Sequence, residues 1–321
     1  MDMKKAYGDI HYLSIRTLKE IFKDTAHEHV SQDIDLERVV QDYIFLCFFG
    51  GNDFIPHLPC SEIRFKGLDK LLELYWTHLQ DNHGYLTHEG KIEWTSFTAY
   101  MKELSLHEDD MIQATGRQMK SWKPKQNFPN EEAKEAYMKE LLYPVHDPVN
   151  FSSPGWWTRY YKHCFHMNYV DKREVQEICH EYLKIMEWNL AYYMKGCPDW
   201  EYYYPYPYAP FAKDILQAMS HYKSVVFPCN KACTPFEQLM LVLPPSSKKL
   251  LPKRIYELME EDRMLPYYPE AVVPNTMFCN MTWQCKPQLP RLNYELVQRR
   301  VSEQLPKLSE TQQKMNAVRD V

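Results

Sequence analysis

The sequence predicts a mainly α protein: an irregular multi-helix body with a small β hairpin and long Pro/Tyr-rich loops. Three observations carry this. Apolar residues recur at helical spacing in one segment after another, as at Leu68, Leu71, Leu72, Tyr75, Trp76 and Leu79. Glycine is scarce, with 9 residues against 24 tyrosines, which argues against a Gly-rich β protein. Prolines and aromatics concentrate instead between the helical segments, above all in DWEYYYPYPYAPF, Asp199 to Phe211, where three prolines forbid a helix or a central strand.

The elements follow in order. Residues 9–24 form an expected helix with Asp9 as its cap and Tyr12, Ile15, Leu18 and Phe22 on one side. A polar connector leads to a second helix capped by Asp35, with Glu37 in the first turn where the helix dipole favours negative charge. Leu36, Val39, Val40, Tyr43, Ile44 and Cys47 share its inner face, while Phe45, Leu46, Phe48 and Phe49 make the last turns apolar all round. Gly50 and Gly51 end it, and Asn52, Asp53 and a loop restricted by Pro56 and Pro59 follow. Helix 66–80, a hairpin over 84–94 turning at His88-Glu89-Gly90, and helix 95–104 come next.

Residues 105–150 are charged and carry little periodicity. Arg117, Lys120, Lys123 and Lys125 around Trp122 suit either a solvated face or a contact to a phosphate backbone. Helices are expected again over 154–166 and 171–195, the latter closed by Gly196 and Pro198. The stretch 199–211 is then a stiff aromatic loop, either a plug against a neighbouring domain or a stacking surface for bases. A short helix followed by a loop over 235–252, then helices at 253–262 and 293–303, precede a polar tail over 304–321, expected to fray.

The bulk numbers exclude several classes. The 321 residues are 45% hydrophobic, enough for a sizeable core, and the formal net charge of −5 leaves no overall basic field, so a bound nucleic acid would need local patches. Nine cysteines, an odd count without C-x₂-C spacing, read as free thiols in a reducing compartment. MDMKKAYGDI lacks the apolar core of a signal peptide, and no apolar run reaches the ~18 residues of a membrane span. The expectation is an intracellular protein, with nucleus and cytoplasm both open and no membrane contact.

The string GGNDFIPHLP, Gly50 to Pro59, resembles the GNDFLPHLP motif of the Xrn family of 5′→3′ exoribonucleases, and Ser61 to Arg64 continues it. The match is long, ungapped and built from uncommon residues. DWEYYYPYPYAP resembles the family's SW-x-WYYPYHYAP string, with Tyr202 in place of its second tryptophan and Pro207 in place of its histidine. PFEQLMLVLP, PYYPEAV and TWQCKPQLP resemble further family elements, so the similarity covers roughly residues 8–300.

The resemblance implies that Asp53 is a catalytic metal-binding carboxylate for Mg²⁺ or Mn²⁺, and that Trp200 or Tyr202 stacks on RNA. Asn52 and His57 read as loop support: Asn fixes turns through its side chain, and a histidine between two prolines is more often structural than catalytic. The family builds the rest of its site on a preceding α/β nuclease domain, which matches nothing here. Two-metal hydrolysis needs several carboxylates around ions ~3.5–4 Å apart, and Asp53 alone offers one.

On this reading residues 1–104 close a nuclease core, 105–150 are a variable linker, 151–303 a helical Xrn-type domain and 304–321 a tail. The expected function is part of a 5′→3′ exoribonuclease acting on single-stranded RNA with a 5′ monophosphate. It would need a separate N-terminal nuclease domain, without which the chain is inactive. The alternatives are a non-catalytic RNA-binding or scaffold protein derived from the family, or a truncated gene product.

Overall fold

The computed structural model describes residues 12–168 and 170–318. In chain order the helices are α1 (Ile15–His29), α2 (Leu36–Cys47), α3 (Gly67–Gln80), α4 (Trp94–Ser121), α5 (Glu131–Glu140), α6 (Trp156–Cys164), α7 (Lys172–Lys195), α8 (Ala212–Met219), α9 (Pro235–Val242), α10 (Lys253–Tyr256), α11 (Tyr294–Gln304) and α12 (Glu310–Met315). Two small antiparallel sheets interrupt them, β1 (Thr87–His88) with β2 (Lys91–Ile92) and β3 (Val273–Asn275) with β4 (Lys286–Gln288). The fold is mainly α, as expected.

The chain divides into two compact units. The first takes the chain up to Gln118 together with Phe151–Gly196 and Tyr203–Val226; the second takes Met119–Asn150, Cys197–Tyr202 and everything from Phe227 on.

In the first unit the predicted cap Asp35 operates, and Asp171, not singled out from the sequence, caps a second helix. Asp35 Oδ1 accepts from the backbone N–H groups of Glu37 and Arg38, and Asp171 Oδ1 does so from Arg173 at the start of α7. The expected cap Asp9 lies outside the described residues, and α1 begins later than predicted, with Ser14 as its N-cap. The core at the end of α2 is aromatic: Phe45 meets Phe48, Phe49 and Phe97 edge-on at 5.3–6.2 Å. Burying such rings contributes about 2–3 kcal/mol each, which is what holds α2 against α4.

A single buried carboxylate joins α2, α3 and the hairpin. Asp42 accepts from the Tyr75 hydroxyl at 2.7 Å, the Leu86 and Thr87 amides at 2.8 Å, and the Thr87 hydroxyl at 2.7 Å. Burial pushes its pKa up to about 6 against the pull of those donors.

The helix predicted over 95–104 runs on to Ser121. Its second half carries little apolar periodicity because four of its buried positions are polar or glycine, Ser105, Glu108, Thr115 and Gly116. Glu108 accepts from the amides of Ala212 at 2.5 Å and Lys213 at 2.9 Å, satisfying the first turn of α8. Its neighbours do turn away from it: Asp109 pairs with Lys213 Nζ at 2.6 Å and Asp110 is exposed.

The second unit has its own core of Phe236, Met240, Leu251, Ile255, Leu258, Met259, Met264, Tyr268, Val297, Val301 and Leu308. The segment expected to be one helix at 253–262 is α10 continued by a 3-10 turn, Glu257–Glu260. The strands β3 and β4 escaped the sequence reading because each carries a proline. Pro274 and Pro287 face each other in register. Neither has an N–H to exchange, so they occupy a non-hydrogen-bonded pair, where none is needed.

The described part of the tail expected to fray, up to Val318, is folded instead: Leu308 is buried in the core, and Asn316 Oδ1 accepts from the Phe236 amide at 2.8 Å, serving the start of α9. A polar sequence concealed these two anchors.

Candidate functional site

The loop after α2 is built to hold one carboxylate in place. The helix tightens into a 3-10 turn, Phe48–Gly50, and Gly51 follows at φ +83°. A side chain at Gly51 would also bring its Cβ within 2.8 Å of the His57 amide nitrogen. Only glycine meets both demands.

Asn52 then closes a tight turn. Its Oδ1 accepts from the amides of Phe54 at 2.9 Å and Ile55 at 3.1 Å, and its own amide donates to the Ile55 carbonyl at 3.0 Å. Asp53 sits inside this turn with its side chain exposed.

Both sides of Asp53 are tied down. Ile55 and Leu58 are buried, and the Leu58 amide donates to the Phe49 carbonyl at 2.9 Å. The Ser61 hydroxyl is bonded to the same carbonyl. Pro56 offers its carbonyl to the Tyr182 hydroxyl of α7 at 3.1 Å. Phe54 lies edge-on to Trp188 at 5.0 Å and Tyr192 at 4.9 Å, two rings of α7 that stack on one another at 5.2 Å. These last contacts were not foreseen, although Trp188 and Tyr192 stand at helical spacing and mark one face of α7.

His57 points toward acid. The Leu58 carbonyl can only accept, so Nδ1 donates to it at 2.9 Å, and Nε2 lies 3.6 Å from Glu62 Oε2. Arg64 Nε donates to the other Glu62 oxygen at 3.0 Å. Burial would raise the Glu62 carboxyl, but the Arg64 hydrogen bond and the His57 and Arg64 charges outweigh it and hold the pKa below its usual value. Glu62 is thus committed to its own partners. Among the described residues no three His, Cys, Asp or Glu side chains are grouped to hold a metal ion. Mg²⁺ binds one or two carboxylates together with waters and substrate phosphates, and two ions need more. Asp53 can therefore contribute one ligand, and the described residues alone do not make up a two-ion site.

The aromatic segment is divided between the units. Trp200 and Tyr202 belong to the second, whereas Asn52, Asp53 and His57 share one loop of the first. Asp199 Oδ1 accepts from the amides of Glu201 at 2.9 Å and Tyr202 at 3.2 Å and from Asn230 Nδ2 at 2.8 Å. Asn230 Oδ1 in turn takes the Trp200 amide at 2.7 Å. The backbone under Trp200 is pinned while its indole is 57% exposed. Tyr202 is half-buried and packs on Phe227 at 5.7 Å.

The fold is thus mainly helical, with an exposed carboxylate on a pinned Gly-Gly-Asn-Asp turn. The chain belongs to the Xrn1 helical domain family, whose profile it matches over residues 33–143 and 133–320. It is similar to 5′-3′ exoribonuclease 2 of Gibberella zeae, at 27% identity across 89% of this chain and 41% of that protein. It is also similar to the 5′-3′ exoribonuclease 2 homolog of Drosophila melanogaster, at 27% across 87% and 36%, and to 5′-3′ exoribonuclease 2 of Gallus gallus, at 27% across 88% and 37%. The resemblance carried by GGNDFIPHLP is thereby confirmed, and the chain spans about two fifths of the length of these relatives. No helix among the described residues is long and apolar enough to cross a membrane.

Proposed function

We propose that this chain is the helical part of a 5′→3′ exoribonuclease acting on single-stranded RNA with a 5′ monophosphate. Asp53 serves as one ligand to catalytic Mg²⁺ or Mn²⁺, and a separate N-terminal nuclease domain supplies the others. The observation that carries this reading is the setting of Asp53: an exposed carboxylate on a loop held from both sides and rimmed by exposed apolar groups. Phe54, Tyr192, Tyr193 and Ile63 are 37%, 37%, 52% and 59% exposed. Phe54 touches Tyr192, Tyr193 packs on Phe48, and Ile63 lies against Gly50. A monomer seldom leaves such a group uncovered without a partner for it.

Trp200 is the base-stacking residue in this reading, because it is exposed over a fixed backbone while Tyr202 packs on Phe227. A non-catalytic scaffold would have no use for a carboxylate presented this way. The protein acts inside the cell, where its RNA substrates are.

The deciding experiment is a nuclease assay on 5′-monophosphorylated single-stranded RNA with Mg²⁺. The chain is tested alone and then with an Xrn-type α/β nuclease domain supplied in trans. Degradation only in the combined reaction, abolished by Asp53→Ala, is expected. Activity of the chain alone, or no activity in combination, overturns the reading.

A further inference from the structure

The family reading leaves the cysteines unused, and two of them stand together in the second unit. The segments Cys197–Tyr202 and Phe227–Asn230 lie side by side. The Cys229 amide donates to the Pro198 carbonyl at 3.1 Å, Asn230 bridges Asp199 and the Trp200 amide, and Tyr202 packs on Phe227. The backbone hydrogen bond from residue 229 to residue 198 sets Cys229 beside the residue that follows Cys197, and a disulfide asks for Cα atoms ~4.4–6.8 Å apart.

Both thiols are free, Cys229 exposed and Cys197 half-buried. They also sense each other. Burial first, and then the nearby Asp199 carboxylate and the Cys229 sulfur, push the Cys197 thiol up, against one backbone N–H that lowers it. Cys229 stands at φ +50°, which turns it out of the extended run on which it would otherwise continue.

We infer that Cys197 and Cys229 form a reversible disulfide site that staples the segment bearing Trp200 to the segment bearing Asn230. The oxidant is a small aliphatic disulfide such as glutathione disulfide. The exposed Cys229 thiolate attacks one of its sulfurs, forming a mixed disulfide and releasing one glutathione thiolate. Cys197 then loses its proton to solvent and attacks the Cys229 sulfur, expelling the second. Two protein thiols are oxidised and one glutathione disulfide is reduced to two glutathiones. Such bonds in an intracellular protein are transient and regulatory rather than structural. The inference rests on the geometry of the second unit and does not depend on the proposed nuclease role.

Trypsin cuts the chain so that Cys197, Cys229 and Cys233 fall on three peptides, Gly196–Lys213, Ser224–Lys231 and Ala232–Lys248. The full reduced chain is incubated in glutathione redox buffers, free thiols are blocked by alkylation, and the digest is mapped by mass spectrometry. The expected product joins the first two peptides with the loss of two hydrogens. It rises with the oxidised fraction of the buffer and vanishes on reduction. It persists in Cys233→Ser and is absent from Cys229→Ser.

Several outcomes overturn the inference: a cross-link through Cys233 in place of either partner, a lasting mixed disulfide on Cys229 with Cys197 still alkylatable, or no modification of Cys197. Mapping the unaltered chain decides the matter even where a substitution prevents folding.

Discussion

Tyr182 donates its phenolic hydrogen to the carbonyl of Pro56 across 3.1 Å, so the buried face of α7 holds the middle of the loop that carries Asp53. Tyr182→Phe removes the donor without changing the packing and leaves a part-buried carbonyl unpaired. We expect a loss of about 1 kcal/mol in chemical denaturation. Amide hydrogen exchange at residues 54–58 should rise before that of α7 itself.

Gly51 has a positive φ and would bring a Cβ against the His57 backbone. Gly51→Ala should cost about 1–3 kcal/mol from the conformation alone, with the contact adding to it. Thermal unfolding measures the cost. A neutral result would mean that the turn relaxes.

Asp53 is exposed, so its side chain has little burial to lose. Asp53→Asn should leave stability within about 0.5 kcal/mol of the parent. In the reconstituted reaction it should reduce RNA degradation by at least the ~100-fold that even outer-shell changes at metal sites reach. Denaturation and nuclease assays on the same sample separate the two effects.

Trp200 and Tyr202 should part company under substitution. Trp200→Ala is expected to weaken single-stranded RNA binding by about 1–3 kcal/mol, the worth of one stacked base, with no change in Tm. Tyr202→Ala should lower Tm, because its ring packs on Phe227. Fluorescence anisotropy with a labelled oligonucleotide reads the first and thermal melting the second.

Burial raises the pKa of Glu108 from 4.5 to about 7, against the pull of the Lys213 and Ala212 amides. Between those values the folded state holds a proton that the unfolded chain has released. The contribution of Glu108 is complete below pH ~4.5 and is lost as pH rises toward 7, a change on the order of 3 kcal/mol. Asp42 acts in the same sense over the window from 3.8 to about 6. Glu108→Gln should flatten the fall in stability above pH 6, where Asp42 has finished titrating. Denaturant titrations across pH 4.5–7.5 test this.

The helices and the candidate loop were legible because their signals are local. Asp35 and Asp171 cap helices through amides two or three residues away, and Gly51 and Asn52 set the turn within a few residues. Where a signal depended on distant partners it misled. Glu108 stood in a charged stretch of little periodicity until α8 came to rest on it, β3 and β4 gave no local sign until Pro274 and Pro287 faced each other, and the tail looked frayed until Leu308 and Asn316 found the second core.

The sequence by itself determined the helical class, the ends of several helices such as α2, α3, α7 and α11, the family and the identity of the displayed carboxylate. Periodicity, capping and a conformationally special glycine act over one or two turns and are written in neighbouring residues. Only the tertiary structure decided what holds that carboxylate still. Tyr182 reaches Pro56 over a separation of 126 residues, and Phe54 packs on Trp188 and Tyr192 of the same distant helix. A buried hydroxyl or ring has many possible partners in a chain of this length, and only the packed chain selects one.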